Sequence, residues 1–251
     1  MKKNLILFLI ISTITIAQVN TESFRKDYDS VGFAGNLGLD FTALTGNTDL
    51  QLFSFNGRVN YNFGNSYSFF VFSSDVGWKD NQRFSNLALF HLRFVTGISK
   101  IMQLEAFTQY NFDKSRLLLN RELLGIGTRI KILTSDEIKL RFGFSGMMEF
   151  EEYNLPANSN HPATVKDFRF SSYLSLSYSI SDNAKFLSTS YYQPLLKDFS
   201  DTKLITENSL ETKIDDSFKL IMRFSARFDN FPPDGRKKLD TATKVGITYD
   251  F

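Results

Sequence analysis

The stretch FKLIMRFSARF sets Phe218, Leu220, Met222, Phe224, Ala226 and Phe228 on one face of an extended chain and Lys219, Ile221, Arg223, Ser225 and Arg227 on the other. This is the period-two pattern of a strand with one apolar and one polar side. The pattern recurs in EIKLRFGFSGMMEFE, where Ile138, Leu140, Phe142, Phe144 and Phe150 oppose Lys139, Arg141, Ser145, Glu149 and Glu151. It returns in DFRFSSYLSLSYSI through Phe168, Phe170, Leu174, Leu176, Tyr178 and Ile180. In QLFSFNGRVNYNF the apolar side is Phe53, Phe55, Val59, Tyr61 and Phe63. Such runs predict about twelve strands, near 31–45, 49–64, 67–79, 84–97, 100–113, 117–133, 137–151, 167–181, 184–195, 202–214, 217–229 and 240–251, with the weakest alternation at 184–195 and 202–214. Most exceed the roughly five or six residues of a soluble strand and reach the roughly 9 to 11 that cross a bilayer at a tilt.

The links between runs carry a separate signal. Alternate links are tight: FGNSY (63–67), GISK (97–100), LTSDE (133–137), ISDN (180–183) and IDDS (214–217). The others include EEYNLPANSNHPATVKD (151–167), PLLKDFSD (194–201) and DNFPPDGRKKLD (229–240), and all five prolines fall in them or at their edge. Short turns on one rim and longer loops on the other are the asymmetry of outer-membrane barrels, in which the short turns face the periplasm. The predicted fold is therefore all-β: a transmembrane antiparallel up-and-down β-barrel of about 12 strands, with both chain ends on the short-turn rim. The final strand, KVGITYDF, then pairs with the first. Tyr249 and Phe251 join Phe63, Tyr178, Phe186 and Phe218 in an aromatic girdle at that rim, opposite a second girdle of Trp78, Tyr110, Phe112, Phe150, Phe168 and Phe228. The alternating ending Val245, Ile247, Tyr249, Phe251 also resembles the signal that outer-membrane proteins present to the barrel-assembly machinery.

Composition adjusts this picture in three places. Twenty-seven Phe and ten Tyr against one Trp supply the girdles and the lipid-facing sides. A net charge of +2 gives no field for nucleic acid, and the absence of Cys excludes disulfides and thiolate chemistry. At the N-terminus Lys2 and Lys3 precede an apolar run, Leu5 to Ile16, and a small-x-small site, Thr15-Ile16-Ala17. Residues 1–17 are read as a signal peptide, 18–30 as a short periplasmic lead and 31–251 as the barrel.

Two stretches, LGLDFTALTGNTDLQLFSFNGRVNYNF and LEAFTQYNFDKSRLLLNRELLGIGTRIKIL, resemble the family known as putative salt-induced outer-membrane protein, a β-barrel family of unknown function. Gly46-Asn47 matches the pair ending its first strand; Asp113, Arg121, Gly125 and Gly127 match its middle hairpin, while Thr128 stands where an aromatic is expected. The resemblance implies a single-chain barrel over 31–251 and supplies no catalytic residue.

Function is then sought in the lumen. Parity turns inward the basic residues Arg58, Arg93, Arg121, Arg129, Lys131, Lys139, Arg141, Lys185, Lys213, Lys219, Arg223 and Arg227 and the acidic residues Asp40, Asp75, Glu105, Glu149, Glu151, Glu207 and Glu211, together with His91. The basic excess predicts a small-solute channel with a weak anion preference. The alternative is a closed barrel, its charges paired across the lumen, with an envelope-stress or surface-binding role exercised by loops 151–167 and 229–240. Arg121, Arg129 and Arg141 beside Glu105, Glu149 and Glu151 are expected to pair, whereas Lys219, Arg223 and Arg227 climb one strand with fewer acids nearby. A lipid-modifying enzyme needs a Ser–His neighbourhood that neither His91 nor His161 has, and two distant His without Cys make no zinc site. No enzyme activity, cofactor or metal is expected. The partners are outer-membrane lipid and the assembly machinery, with no nucleic acid. Gly125-Ile126-Gly127, inside a strand, predicts close approach of a neighbour rather than a phosphate cradle.

Overall fold

The computed structural model describes residues 31–44, 50–80 and 82–251. The expected signal peptide (1–17), the lead (18–30) and the Gly46-Asn47 pair lie outside the described residues. Twelve strands run in chain order: β1 (Gly32–Leu44), β2 (Leu50–Asn62), β3 (Ser66–Lys79), β4 (Gln82–Gly97), β5 (Met102–Asp113), β6 (Leu118–Thr134), β7 (Ile138–Tyr153), β8 (Thr164–Ser179), β9 (Ala184–Leu195), β10 (Asp198–Lys213), β11 (Phe218–Asp229) and β12 (Leu239–Asp250). Each pairs antiparallel with its sequence neighbours, and β12 closes on β1 to make one barrel. The twelve-stranded up-and-down prediction holds, including β9 and β10, where the alternation is weakest.

Burial is inverted relative to a soluble protein, and this follows from parity. On β11 the apolar side points outward, with Phe218, Leu220, Met222 and Phe224 at 42%, 45%, 50% and 44% exposure, while inward Arg227 is 4% exposed. An exterior of Phe and Leu around an interior of Arg, Glu, Asn and Ser is stable only if hydrocarbon lies outside.

The links differ from expectation on one rim. The tight links, 63–65, 98–101, 135–137, 180–183 and 214–217, all fall on the rim that carries the C-terminus, called here the turn rim. On the opposite loop rim the expected long link 194–201 is instead a tight turn. Strand β10 begins at Asp198, two residues after β9 ends, and a register shift between Asp198 and Thr202 absorbs the polar residues that read as loop. Pro194 is accordingly inside β9, paired with Thr202 beside that irregularity, where a missing amide hydrogen is tolerated. The β7–β8 and β11–β12 loops, 154–163 and 230–238, are the long ones among the described links.

The seam is narrow. Strands β1 and β12 are in register only from Asn36↔Asp250 to Leu39↔Ile247. Beyond Asp250 the chain end adds two backbone bonds, Gly35 N–H to the Phe251 carbonyl at 3.0 Å and Phe251 N–H to the Gly35 carbonyl at 3.1 Å. A Cβ at position 35 would fall 2.6 Å from the Phe251 ring, so glycine there lets the terminal aromatic lie flat across the seam. Val245, Ile247, Tyr249 and Phe251 all point outward, and Tyr249 packs on Phe218 and Phe251.

Candidate solute pathway

The lumen is layered rather than open. Two apolar clusters project into it, Phe69 with Val71 and Val95 near the turn-rim ends of β3 and β4, and Tyr173 with Tyr191 and Ile205 nearer mid-strand. Arg58 is buried over the Phe69 ring at 4.7 Å, and Arg93 lies over Phe107 at 4.9 Å and bonds Glu105 at 3.2 Å. Glu105 also accepts from the Tyr173 hydroxyl at 3.0 Å, tying β5 to β8 through the interior. His91 sits among Phe69, Phe107, Gln109 and Arg93, with one ring nitrogen accepting from Arg93 Nε at 3.2 Å. Phe107 has room because Gly125 lies beneath it, a Cβ there falling 2.2 Å from the ring; this is the close approach that the Gly125–Gly127 stretch predicts. A void of about 30 Å³ remains in this layer.

Toward the loop rim the charges are balanced and buried. Glu149 Oε1 accepts from Arg121 Nε at 2.7 Å and Lys203 Nζ at 3.0 Å, and Oε2 accepts from Arg169 Nε at 2.6 Å. Glu151 meets Lys203 at 2.8 Å and Arg121 at 3.1 Å, and Arg169 reaches Asp201 at 2.9 Å. Three cations and three carboxylates from β6, β7, β8 and β10 thus form one neutral cluster. Burying these charges is tolerable because each has its counter-ion in place, although Arg121 Nη1 is buried without a hydrogen-bond partner. Arg227 belongs to this half, next to Asp229 at 3.6 Å. Arg116, on the short 3-10 turn Lys114–Arg116 after β5, ion-pairs with Asp240 of β12. Above the cluster a cavity of about 480 Å³ lies under the two long loops, which Asp234 holds together by accepting from the Ser159 hydroxyl and the Asn160 backbone N–H. These bonds keep its carboxyl below the usual carboxylate range.

At the turn rim the balance is lost. A cavity of about 380 Å³ is lined by Arg129, Lys139, Arg141, Lys185, Lys213, Lys219 and Arg223 against only Asp182, Glu211 and Asp250. Arg129 donates to Gln103 at 3.2 Å and Arg141 to the Leu140 carbonyl at 3.1 Å. On the remaining wall Lys244 bonds Asp75 at 2.8 Å, Asp40 is half-buried beside the seam, Glu207 is buried on β10, and Lys131 is half-buried by a register shift at the end of β6.

The charges group in part differently from the sequence reading. Glu105 pairs with Arg93, and Arg121 with Glu149 and Glu151. The β11 cations are not short of acids: Lys219 meets Asp250 and Glu211 across both neighbouring strands, and Arg227 meets Asp229. Parity along one strand does not reveal acids supplied by its partners. Arg169, Lys203, Asp201 and Lys244 are missing from the sequence-based lumen set. Arg169 alternates inward in DFRFSSY and was legible; Lys203 and Asp201 lie at the register shift that obscures β10.

Glu149→Gln is expected to destabilise the refolded barrel by about 3–5 kcal/mol, since it removes the carboxylate that three buried cations share and leaves them with two acids. Glu211→Gln, in the open cavity, is expected to cost no more than about 1 kcal/mol; urea unfolding followed by tryptophan fluorescence compares them. A depressed carboxyl stabilises above its unfolded value and loses that contribution as pH falls through the folded one. The loop latch is therefore expected to survive below pH ~4, whereas Asp234→Asn opens it at neutral pH; faster hydrogen exchange at Asn160 and His161 in the variant is the measurement.

No curated protein sequence is similar to this chain. Among solved structures, the NanC porin superposes with a TM-score of 0.51 at 8% identity, covering 87% of this chain and 100% of that one. The translocator domain of the autotransporter NalP from Neisseria meningitidis superposes with a TM-score of 0.52 at 13% identity, covering 92% and 91%. Both likenesses show the fold alone, a closed antiparallel β-barrel like those two structures. The model of one sequence family matches residues 36–251, and the chain belongs to it: Protein of unknown function, DUF481.

Proposed function

We propose that the protein is an outer-membrane channel for small solutes with a weak anion preference, its turn rim toward the periplasm. The observation that carries this reading is the turn-rim cavity, where seven Arg and Lys side chains face three carboxylates. A basic excess in a water-filled, low-dielectric vestibule raises the local concentration of anions. The neutral ionic cluster nearer the loops provides no such bias. A second reading, a closed barrel with a surface role, is favoured by the packed middle layer and its void of only about 30 Å³.

Conductance separates the two. In planar bilayers under a KCl gradient, the protein is expected to conduct with a reversal potential on the anion side, and Lys185→Glu with Lys213→Glu to move it toward cations. Absence of conductance in both proteins rejects the channel and leaves the closed barrel. Recognition by the barrel-assembly machinery is proposed for Val245, Ile247, Tyr249 and Phe251. Phe251→Ser is expected to cost the refolded barrel only about 0.5–1.5 kcal/mol of aromatic packing, while the amount assembled in cells drops several-fold by outer-membrane fractionation. Equal losses in the two assays would remove that role.

A further inference from the structure

At the loop rim the hairpin of β3 and β4 breaks the parity that governs the rest of these strands. On β4 the odd residues Ser85, Leu87, Leu89, His91 and Arg93 are buried, and the even residues Phe90, Leu92 and Phe94 are exposed. Arg83 is odd and would enter the lumen if the alternation continued. Register instead passes from Gly77↔Ser85 to Trp78↔Arg83, which leaves Phe84 as an extra residue in β4. Such a bulge re-aims the side chains beyond it. A Cβ at Gly77 would fall 2.8 Å from the Phe84 ring and 3.0 Å from Leu52, so Phe84 takes the inward place beside Leu52. Arg83 is thereby turned to the outer face, directly opposite Trp78, with its guanidinium 5.5 Å from the ring centroid.

Lys114, the first residue of the 3-10 turn, joins this pair. Its Nζ donates to the Arg83 carbonyl at 3.0 Å, which holds an ammonium at the same strand end, whereas Arg116 in the same turn meets Asp113 and Asp240. Arg83 and Lys114 are exposed, as is Lys79 next to Trp78, and among the described residues none of the three is ion-paired. A cation turned outward at the edge of hydrocarbon is costly unless it reaches water or an anion. An indole ring settles at the boundary between acyl chains and headgroups, and here the cations stand at the end of the strand that carries it. A guanidinium fork beside an ammonium matches the oxygens of a phosphate. A zwitterionic headgroup brings a cation of its own, which a patch without a carboxylate partner would repel.

We propose that this patch docks a phosphorylated, net-negative lipid of the outer leaflet, its phosphate held by Arg83 and Lys114 and its acyl chains lying against Trp78 and the apolar outer faces of β3 and β4. The assignment to the outer leaflet rests on the orientation proposed above, with the turn rim toward the periplasm; it does not depend on conduction. Trp78 is the only tryptophan of the chain and reports the site directly. The protein is refolded into phosphatidylcholine vesicles with increasing fractions of lipid A, a diphosphorylated glycolipid, and followed by tryptophan emission, while native mass spectrometry counts retained lipid. A saturable change is expected with lipid A, and none with dephosphorylated lipid A or with inorganic phosphate. Lys114→Gln is expected to raise the half-saturating fraction about tenfold, as loss of one charge-assisted hydrogen bond would. Arg83→Gln with Lys114→Gln is expected to abolish the retained lipid. Arg236→Gln with Lys237→Gln removes the same charge from the 230–238 loop and is expected to leave the titration unchanged; far-UV circular dichroism checks that each variant is an intact barrel. An equal response to dephosphorylated lipid A, an equal response to inorganic phosphate, a double variant that retains lipid like the parent, or a loop variant that weakens binding as much overturns the proposal. Absence of current removes the channel without touching this site, and parent-like lipid retention by the double variant removes the site while leaving any conductance standing.

Discussion

Closure is the constraint on which the rest depends. In hydrocarbon an unpaired backbone amide has no water to turn to and costs several kcal/mol, so a sheet that enters lipid must have no edge. Every described strand obeys this through long antiparallel ladders, yet the ring is completed by the shortest of them, the β1–β12 register from Asn36 to Leu39. The exchange of backbone bonds between Gly35 and Phe251 extends that seam by one more pair at its turn-rim end. The aromatic side chain at the chain end thus covers a joint, and the glycine opposite is what allows it to approach. The same closure turns alternate residues into a lumen and forces the chain's charges to be reconciled there.

How they are reconciled differs along the axis. Between β6, β7, β8 and β10 the carboxylates of Glu149, Glu151 and Asp201 are enclosed by Arg121, Arg169 and Lys203, and every partner is almost wholly buried except Asp201. Such an arrangement gives little net stability over an apolar filling, because desolvation offsets most of the attraction, but it fixes four strands in one relative position. At mid-height aromatic and aliphatic side chains complete the filling. Below them, around Lys139, Arg141 and Lys185, basic side chains outnumber carboxylates along the cavity wall. A chain with a net charge of +2 therefore contains a strongly basic compartment, because the opposite charges are spent elsewhere in the same lumen.

The fold was legible because its signal is local. Alternation in FKLIMRFSARF fixes which side of β11 meets lipid whatever its neighbours do, and twelve such runs fix the barrel. The grouping of lumen charges is non-local and was not legible. Lys219 finds Asp250 on β12 and Glu211 on β10, and no property of the β11 sequence announces either. Lys203 was missed for a different reason. The polar run KDFSD reads as a loop, and only the register shift after Asp198 shows that it is strand. Where parity is intact, as at Arg169 in DFRFSSY, alternation alone turns the side chain inward to Glu149.

The layering also determines what a passing solute would meet. A filled middle layer makes entry from the two rims inequivalent: one side offers balanced, mutually engaged charges beneath loops pinned by Asp234, the other offers an excess of basic side chains. Passage onward requires the Tyr173–Glu105–Arg93 tie to give way, since it spans the lumen directly above. Under the proposed channel, affinity would be a property of the turn-rim wall and permeation one of the middle layer, and substitutions in one are separable from the other because the two share no side chain.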